Sequence, residues 1–254
     1  MAYRYLFEQM VRREMRQKYK GSALGIVWYV VNPLVLMGAY YLMFGVVFRA
    51  AAEPDYPLFL LVGLVVWIFF SQAAIGASTS LIEQSSLIRK ARFPREVIPA
   101  AVVSVQSITF LVLLGIVTPL TLAVRGTVDV ALLLLPLILA CLFAFVLGFA
   151  FAVAVLHAYF RDVAPILTAA LLPWFFLSPI FFDPNNITQK KAAVFALEWI
   201  NPVAPFIVAV RDVLYGGVVP DLNVLAYVAI AGALVLAGGV WLFRRMQGEL
   251  AVVL

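Results

Sequence analysis

The chain has 254 residues, 65% of them hydrophobic and only 12% charged, with a mean hydropathy of +1.05. A water-facing globular surface needs roughly a quarter of its residues charged, so this composition excludes a soluble domain and reads as one integral membrane domain over residues 1–254. The net charge of +5 would suit nucleic acid in a soluble protein, but its placement along the chain points to a membrane and to no nucleic acid.

The first twenty residues are too polar and basic to hold the apolar run of a cleavable signal peptide. Over them, Leu6, Phe7, Met10, Val11, Met15 and Tyr19 advance in i, i+4 steps while Arg12, Arg16 and Lys20 form the opposite stripe. That pattern predicts an amphipathic helix lying in the membrane interface, within residues 1–22. A basic topology signal with no further role is the plainer alternative.

Between Lys20 and Arg49 no charge occurs for 28 residues. Stretches of 26, 28, 33 and 20 residues follow, at 57–82, 97–124, 128–160 (Asp129 apart) and 163–182. A hydrocarbon layer about 30 Å thick takes about 20 apolar residues of helix. The expected fold is therefore all-α, with six transmembrane helices at 25–48, 58–82, 97–124, 130–157, 164–182 and 222–243. Thirteen of the 18 Lys and Arg fall on the side of the two termini, which the positive-inside rule assigns to the cytoplasm.

The external segment 183–221 is apolar from Phe195 to Val210 but broken by Glu198, Asn201-Pro202 and Pro205. It is too short to span, and it is expected to dip into the outer leaflet as paired re-entrant helices, or else to fold as an ordinary external loop. Arg211 and Asp212 would return it to the outer surface.

Chemistry-bearing motifs are missing. The sequence has no GxxxxGK[ST], HExxH or GxSxG. Cys141 and His157 each stand alone, which leaves no disulfide within the chain, no metal site and no catalytic residue to name. The polar residues inside the spans are uncharged: Asn32, Ser71, Gln72, Ser78, Thr79, Ser104, Gln106, Ser107, Thr109 and Ser178. They read mostly as glue between helices. Without ionisable groups in the spans, energy for active transport would have to come from elsewhere. The loop Glu83-Gln-Ser-Ser-Leu-Ile-Arg-Lys-Ala-Arg-Phe-Pro-Arg-Glu96 sets Leu87, Ile88 and Phe93 among four cations, the pattern of an exposed protein contact.

At this point a resemblance becomes specific. Lys18-Tyr-Lys-Gly-Ser-Ala-Leu-Gly25, Trp28, Asn32-Pro33-Leu34 and the run from Tyr40 to Phe48 resemble the amino-terminal pattern of ABC-2 type permeases that export lipid-linked polysaccharides. The likeness continues through Leu87-Ile88-Arg89-Lys90, Phe93-Pro94-Arg95, Pro99, Phe160-Arg161-Asp162, Ser178-Pro179-Ile180, Asn201-Pro202 and Arg211-Asp212 to Gly216. Within that family the chain is most similar to O-antigen and wall teichoic acid permeases. Its ending, Gly248-Glu-Leu-Ala-Val-Val-Leu254, departs from the usual aromatic-bearing tail.

The resemblance implies a homodimer in a bacterial inner membrane, with both termini cytoplasmic and two separate ATP-binding cassette subunits below. ATP and Mg would belong to those partners, leaving no cofactor and no enzymatic activity in this chain. The substrate would be a polysaccharide on a polyprenyl pyrophosphate carrier. Residues 83–96 would couple to the ATPase through Leu87, Ile88, Arg89, Lys90, Arg92, Phe93, Pro94 and Arg95. Arg16, Lys18, Lys20, Ser22, Leu24 and Gly25 would form the pyrophosphate gate, unless these cations only meet anionic headgroups. Flat aromatic faces suit a sliding sugar chain, which points to Tyr40, Tyr41, Phe44, Phe48, Trp174, Phe175, Phe176, Phe181 and Phe182. A wall teichoic acid or capsular polysaccharide exporter, a drug or small-lipid exporter, and a non-transporting membrane scaffold or glycan-lipid synthase subunit are the alternatives.

Overall fold

The computed structural model describes residues 2–19, 25–47, 55–90, 93–184 and 195–250, and the regular structure among them is helical, with no strand. In chain order the elements are α1 (Ala2–Tyr19), α2 (Trp28–Tyr40) running on as a π-helical segment (Tyr41–Val47), α3 (Tyr56–Glu83) and α4 (Ser85–Lys90). Then come α5 (Val97–Arg125), a 3-10 turn (Val130–Leu134) leading into α6 (Leu135–Tyr159), and α7 (Val163–Phe176). The helix α8 (Ala204–Arg211) is flanked by π-helical turns (Ala196–Ile200 and Asp212–Gly216), and α9 (Leu222–Met246) ends the bundle.

Among the described residues, five helical segments are long and apolar enough to cross a membrane: Val30–Val47, Tyr56–Glu83, Val97–Arg125, Val130–Tyr159 and Leu222–Met246. The chain is thus an all-α, multi-pass membrane protein. The stretch expected to cross at 164–182 differs: α7 has 14 residues and stops at Phe176. Pro173 sits in its last turn, and Ser178-Pro179 follows, where Ile180 N–H donates to Ser178 C=O at 2.7 Å. Prolines remove the donors that another helical turn would need, so the helix ends after about 21 Å of rise and the chain proceeds as a tight turn.

At the centre of the bundle lies α3, buried from Phe59 to Trp67 without interruption. Around it stand α5, α6, α7 and α8. Lipid tails are as apolar as leucine, so what favours these contacts is close packing rather than escape from water. Glycines make that packing possible between α6 and α9. A Cβ on Gly232 would lie 2.7 Å from Cys141 O, and one on Gly239 would lie 2.8 Å from Gly148 Cα.

The two ends of the bundle differ in chemistry. At one end, called the basic end here, Met10 of α1, Leu81 of α3, Ile88 of α4, Ile98 of α5, Ala154 of α6 and Phe243 of α9 form a single buried cluster with Leu250. Both terminal regions therefore lie together. At the far end, α8 is buried at all eight positions. Its Phe206 ring packs 5.0 Å from Phe145, a residue ten positions into α6 and hence about 15 Å below the helix start. The chain descends through Ala196–Ile200, turns at Asn201-Pro202 and climbs back through α8. Arg211 stands at the top of that climb but does not reach the surface as expected: its side chain is 5% exposed.

Candidate functional site

The peripheral helix α2 crosses beside α3 and α7 and leaves a groove of about 300 Å³ between the three. Asn32, Leu36 and Tyr40 of α2 line one wall, and Leu64, Trp67, Ile68, Ser71, Gln72 and Ile75 of α3 line the floor. Thr168, Leu171, Leu172 and Phe175 of α7 complete it. None of these lining residues is Asp, Glu, Lys, Arg or His. Along the groove the chemistry changes: Asn32, Gln72 and Thr168 lie toward the basic end, Tyr40, Trp67 and Phe175 toward the far end.

The aromatic residues proposed from the sequence divide between wall and support. Tyr40 and Phe175 are on the wall, 5.4 Å apart between ring centroids. Behind them Phe181 is buried, with its ring 5.0 Å from Tyr40 and 4.6 Å from Phe44. Its placement is held by Tyr56, whose hydroxyl donates to Phe181 C=O at 2.8 Å. Phe182 is partly buried against the same core, while Tyr41 and Phe176 face outward. Phe48 lies outside the described residues. Trp174 is turned away from the groove, and its Nε1–H donates to Asn201 Oδ1 at 2.8 Å. Trp67 was not singled out from the sequence, yet it joins wall to support, 5.6 Å from Phe175 and 6.1 Å from Trp174. Nothing in an apolar run marks which of its aromatics faces a groove.

Asn201 is the polar knot beneath this region. Its Oδ1 also accepts from Val203 N–H at 3.1 Å, and its Nδ2 donates to Ser178 Oγ at 2.9 Å and to Leu177 C=O at 3.3 Å. Buried polar groups within a membrane bundle need partners inside the protein, and this one carboxamide satisfies the broken end of α7 and the turn before α8 together. Arg211 does the same from the other side, donating to Pro179 C=O at 2.6 Å and Ile180 C=O at 3.1 Å. Its guanidinium carbon sits 3.7 Å from the Phe59 ring centroid, within cation–π range.

Polar span residues expected to join helices mostly do not. Ser71, Ser78, Ser104, Ser107 and Thr109 each donate to a carbonyl three or four residues back in their own helix. A hydroxyl on an apolar helix finds its nearest acceptor in that helix. Ser178 donates likewise to Trp174 C=O but also accepts from Asn201 across elements.

At the basic end the expected anchors of the cationic loop are partly spent inside the chain. Ile88 is 4% exposed and belongs to the buried cluster, with Leu87 and Phe93 packed half-buried against it. The short helix α4 turns Ile88 into the buried cluster that α1, α3, α5, α6 and α9 share. Ile88 is therefore an interior residue, a correction to its reading as an exposed anchor. Arg89 and Lys90 are exposed and Pro94 is half-buried, whereas Arg95 Nη1 donates to Gln247 C=O. Nearby, Arg244 pairs with Glu96 at 3.4 Å, and Tyr159 OH donates to Met246 C=O at 2.5 Å. Arg92 lies outside the described residues.

Of the gate residues, Lys20, Ser22, Leu24 and the side chain of Lys18 lie outside the described residues. Arg16 is exposed at the basic end. Gly25 has a φ of +48°, and a Cβ there would meet nothing within 4 Å, so backbone conformation rather than space favours glycine. His157 is buried, and its Nδ1 accepts from Ala164 N–H at 3.2 Å, closing the first turn of α7. On α1, Met10 is buried while Arg12, Arg13 and Arg16 are exposed. Arg13 donates to Gln84 Oε1 at 2.9 Å, and Gln84 Nε2 donates to Glu14 at 3.4 Å. Burial, then the nearby Glu83 carboxylate, push the Glu14 carboxyl above its ordinary value.

A bundle of long apolar helices with a charge-free groove along three of them, and a basic end where loop, interface helix and final span meet, defines a helical membrane protein of the permease class. Residues 5–215 match the ABC-2 type transporter family, and the chain belongs to that family. It is similar to the O-antigen export system permease protein RfbA of Myxococcus xanthus, 29% identical over 249 residues that cover 98% of this chain and 95% of the relative. Two Klebsiella pneumoniae proteins of the same name are 27% identical, over 98% of this chain and 96% of theirs. The chain is the permease subunit of an ABC-2 transporter.

Proposed function

We propose that two copies of this chain, with two separate ATP-binding cassette subunits, export a polyprenyl-pyrophosphate-linked polysaccharide of the O-antigen type across a bacterial inner membrane. The observation that carries this reading is the groove itself. It opens on the outside of a single chain, lined by neutral polar groups and aromatic faces, and helices about 10 Å wide merely fill the interior of one bundle. A second copy set against α2 and α7 would close two such grooves into one conduit. Relatives named as O-antigen export permeases over nearly the whole chain support the substrate class.

In this reading the basic end is cytoplasmic, as the bias of 13 of 18 cations toward it supports. Arg89, Lys90, Leu87 and Phe93 meet the ATPase, and ATP with its Mg stays in that partner. Arg16, Lys18, Lys20 and the Ser22, Leu24 and Gly25 segment receive the pyrophosphate, whose concentrated charge suits cations. The hairpin around Asn201 is re-entrant in the outer leaflet, and it holds the far end of the conduit.

Deleting the gene is expected to make cells accumulate polyprenyl-linked glycan on the inner leaflet and lose it from the surface. Purified complex should contain an ATPase whose hydrolysis rises with lipid-linked glycan. Surface glycan at the normal level in the deletion strain would reject the reading.

A further inference from the structure

We propose that Asn32, Gln72 and Thr168 form a subsite that reads sugar hydroxyls as the chain enters the groove, before the aromatic stretch of Tyr40, Trp67 and Phe175. The inference rests on the glycan-export reading and adds to it the residues and the recognition chemistry. Gln72 stands 11 residues from Glu83 and 16 from Tyr56, about 17 and 24 Å from the two ends of α3, so it is near mid-membrane. Its side chain is exposed, as is that of Asn32. Neither carboxamide has a hydrogen-bond partner among the described residues, whereas the span hydroxyls turn back onto their own helices; that of Thr168 donates to Ala164 C=O at 2.9 Å and offers the groove its oxygen as an acceptor only.

An unpaired carboxamide facing lipid is costly because hydrocarbon offers it nothing. Two of them lining one groove, Asn32 on its wall and Gln72 on its floor, require a wet or occupied face. The occupant is uncharged, since no ionisable Asp, Glu, Lys, Arg or His lines the groove. Each carboxamide carries both N–H donors and a carbonyl acceptor, which matches the donor and acceptor character of a sugar hydroxyl. Rings further along then receive the C–H faces of the same sugars. Polar recognition first and flat sliding second places selection at the start of the path.

The test uses the full permease–ATPase complex in its native membrane. With the single native thiol removed by Cys141→Ala, Gln72→Cys is expected to react with a membrane-impermeant methanethiosulfonate. Val112→Cys, on the exposed apolar face of α5, should not. Labelling of Gln72→Cys should fall severalfold in vesicles from cells making the lipid-linked glycan, compared with cells lacking its first glycosyltransferase. Asn32→Leu and Gln72→Leu should each slow export about two- to tenfold, the loss of one net hydrogen bond, with the complex still assembled. No labelling, or a disulfide between two Gln72→Cys copies, would assign the groove to lipid or to the dimer contact and overturn the subsite. Labelling without protection by glycan would overturn it too. Each of these failures leaves the export reading standing, because that reading falls only if the deletion strain displays normal surface glycan.

Discussion

A methyl group on Gly63 would lie 2.5 Å from Nη2 of Arg211, so the missing side chain on α3 is what admits a guanidinium to the core. The cation then bridges α8 to the turn after α7 through Pro179 and Ile180. Gly63→Val is expected to expel it and destabilise the far end by about 1–3 kcal/mol, the usual cost of overpacking. Arg211→Ala should cost a similar amount, since hydrogen bonds to charged groups are worth about 1.5–3 kcal/mol. Because both changes break one arrangement, the double variant should be clearly less than additive. Thermal unfolding of the purified permease in detergent checks all three.

Asn201 makes four hydrogen bonds to three segments. Asn201→Leu leaves the Trp174 indole N–H and the Val203 N–H without an acceptor, and should cost about 1–3 kcal/mol per orphaned group at most. Asn201→Asp keeps the acceptor and loses the donor, so its melting temperature should fall between those of the parent and the leucine variant. Trp174 fluorescence provides a local reading of the same loss.

Much of this architecture is legible in sequence, because a run of more than 20 uncharged residues has one physical explanation. Hydropathy ranks charge as surface, however, and so it placed Arg211 in the outer loop. What buries that residue is a glycine 148 positions earlier in the chain, a pairing no local pattern carries. The same limit applied at the basic end. Ile88 looked like an exposed anchor beside its cations, but the buried cluster it joins draws on α1, α6 and α9, which are distant in sequence. Among the aromatics, two of those singled out reached the groove wall, since composition shows that rings are present and only packing decides where they point. The groove's carboxamides were visible as polar span residues, yet their lack of partners emerged only from the fold.

The seam between α6 and α9 depends on glycine at three places where backbones touch. Gly239→Leu should weaken the pair, because its side chain would meet the backbone of Gly148. Gly238→Leu, with open space around it, serves as the control and should leave stability near the parental value. The expected difference in detergent melting is several degrees, in line with about 1–3 kcal/mol for a clash in a packed site.

Docking of α1 should depend on pH in a stated sense. The Glu14 carboxyl is held above its ordinary value of 4.5, first by burial and then by Glu83. In the folded state it therefore keeps a proton over a window in which the undocked helix has lost it. Stability falls wherever the folded state binds more protons as pH rises, so docking is strongest on the acid side and weakens as pH climbs from about 4.5 through the raised value. Glu14→Gln should remove this dependence and protect α1 better at neutral pH. Hydrogen exchange of the α1 amides at a series of pH values measures it directly; an unchanged slope in the variant would mean that another group sets the dependence.

Phe93 and Arg95 are neighbours in sequence with separable tasks. Phe93 is half-buried beside the basic-end cluster and is proposed to meet the ATPase, while Arg95 ties the loop to Gln247 at the end of α9. Phe93→Asp should leave the permease inserted and its own bundle intact, but weaken binding of the ATPase and abolish export. Arg95→Gln should leave ATPase binding near normal and loosen the link from loop to α9, so that hydrolysis continues while transport per ATP falls. Alongside it, Tyr159→Phe removes the 2.5 Å contact to Met246 and should show the same uncoupling in weaker form. Co-purification separates the first variant from the other two, and the ratio of glycan exported to ATP hydrolysed separates a broken link from a lost partner. If Arg95→Gln loses the ATPase as completely as Phe93→Asp does, its guanidinium serves the partner interface rather than the chain's own last span.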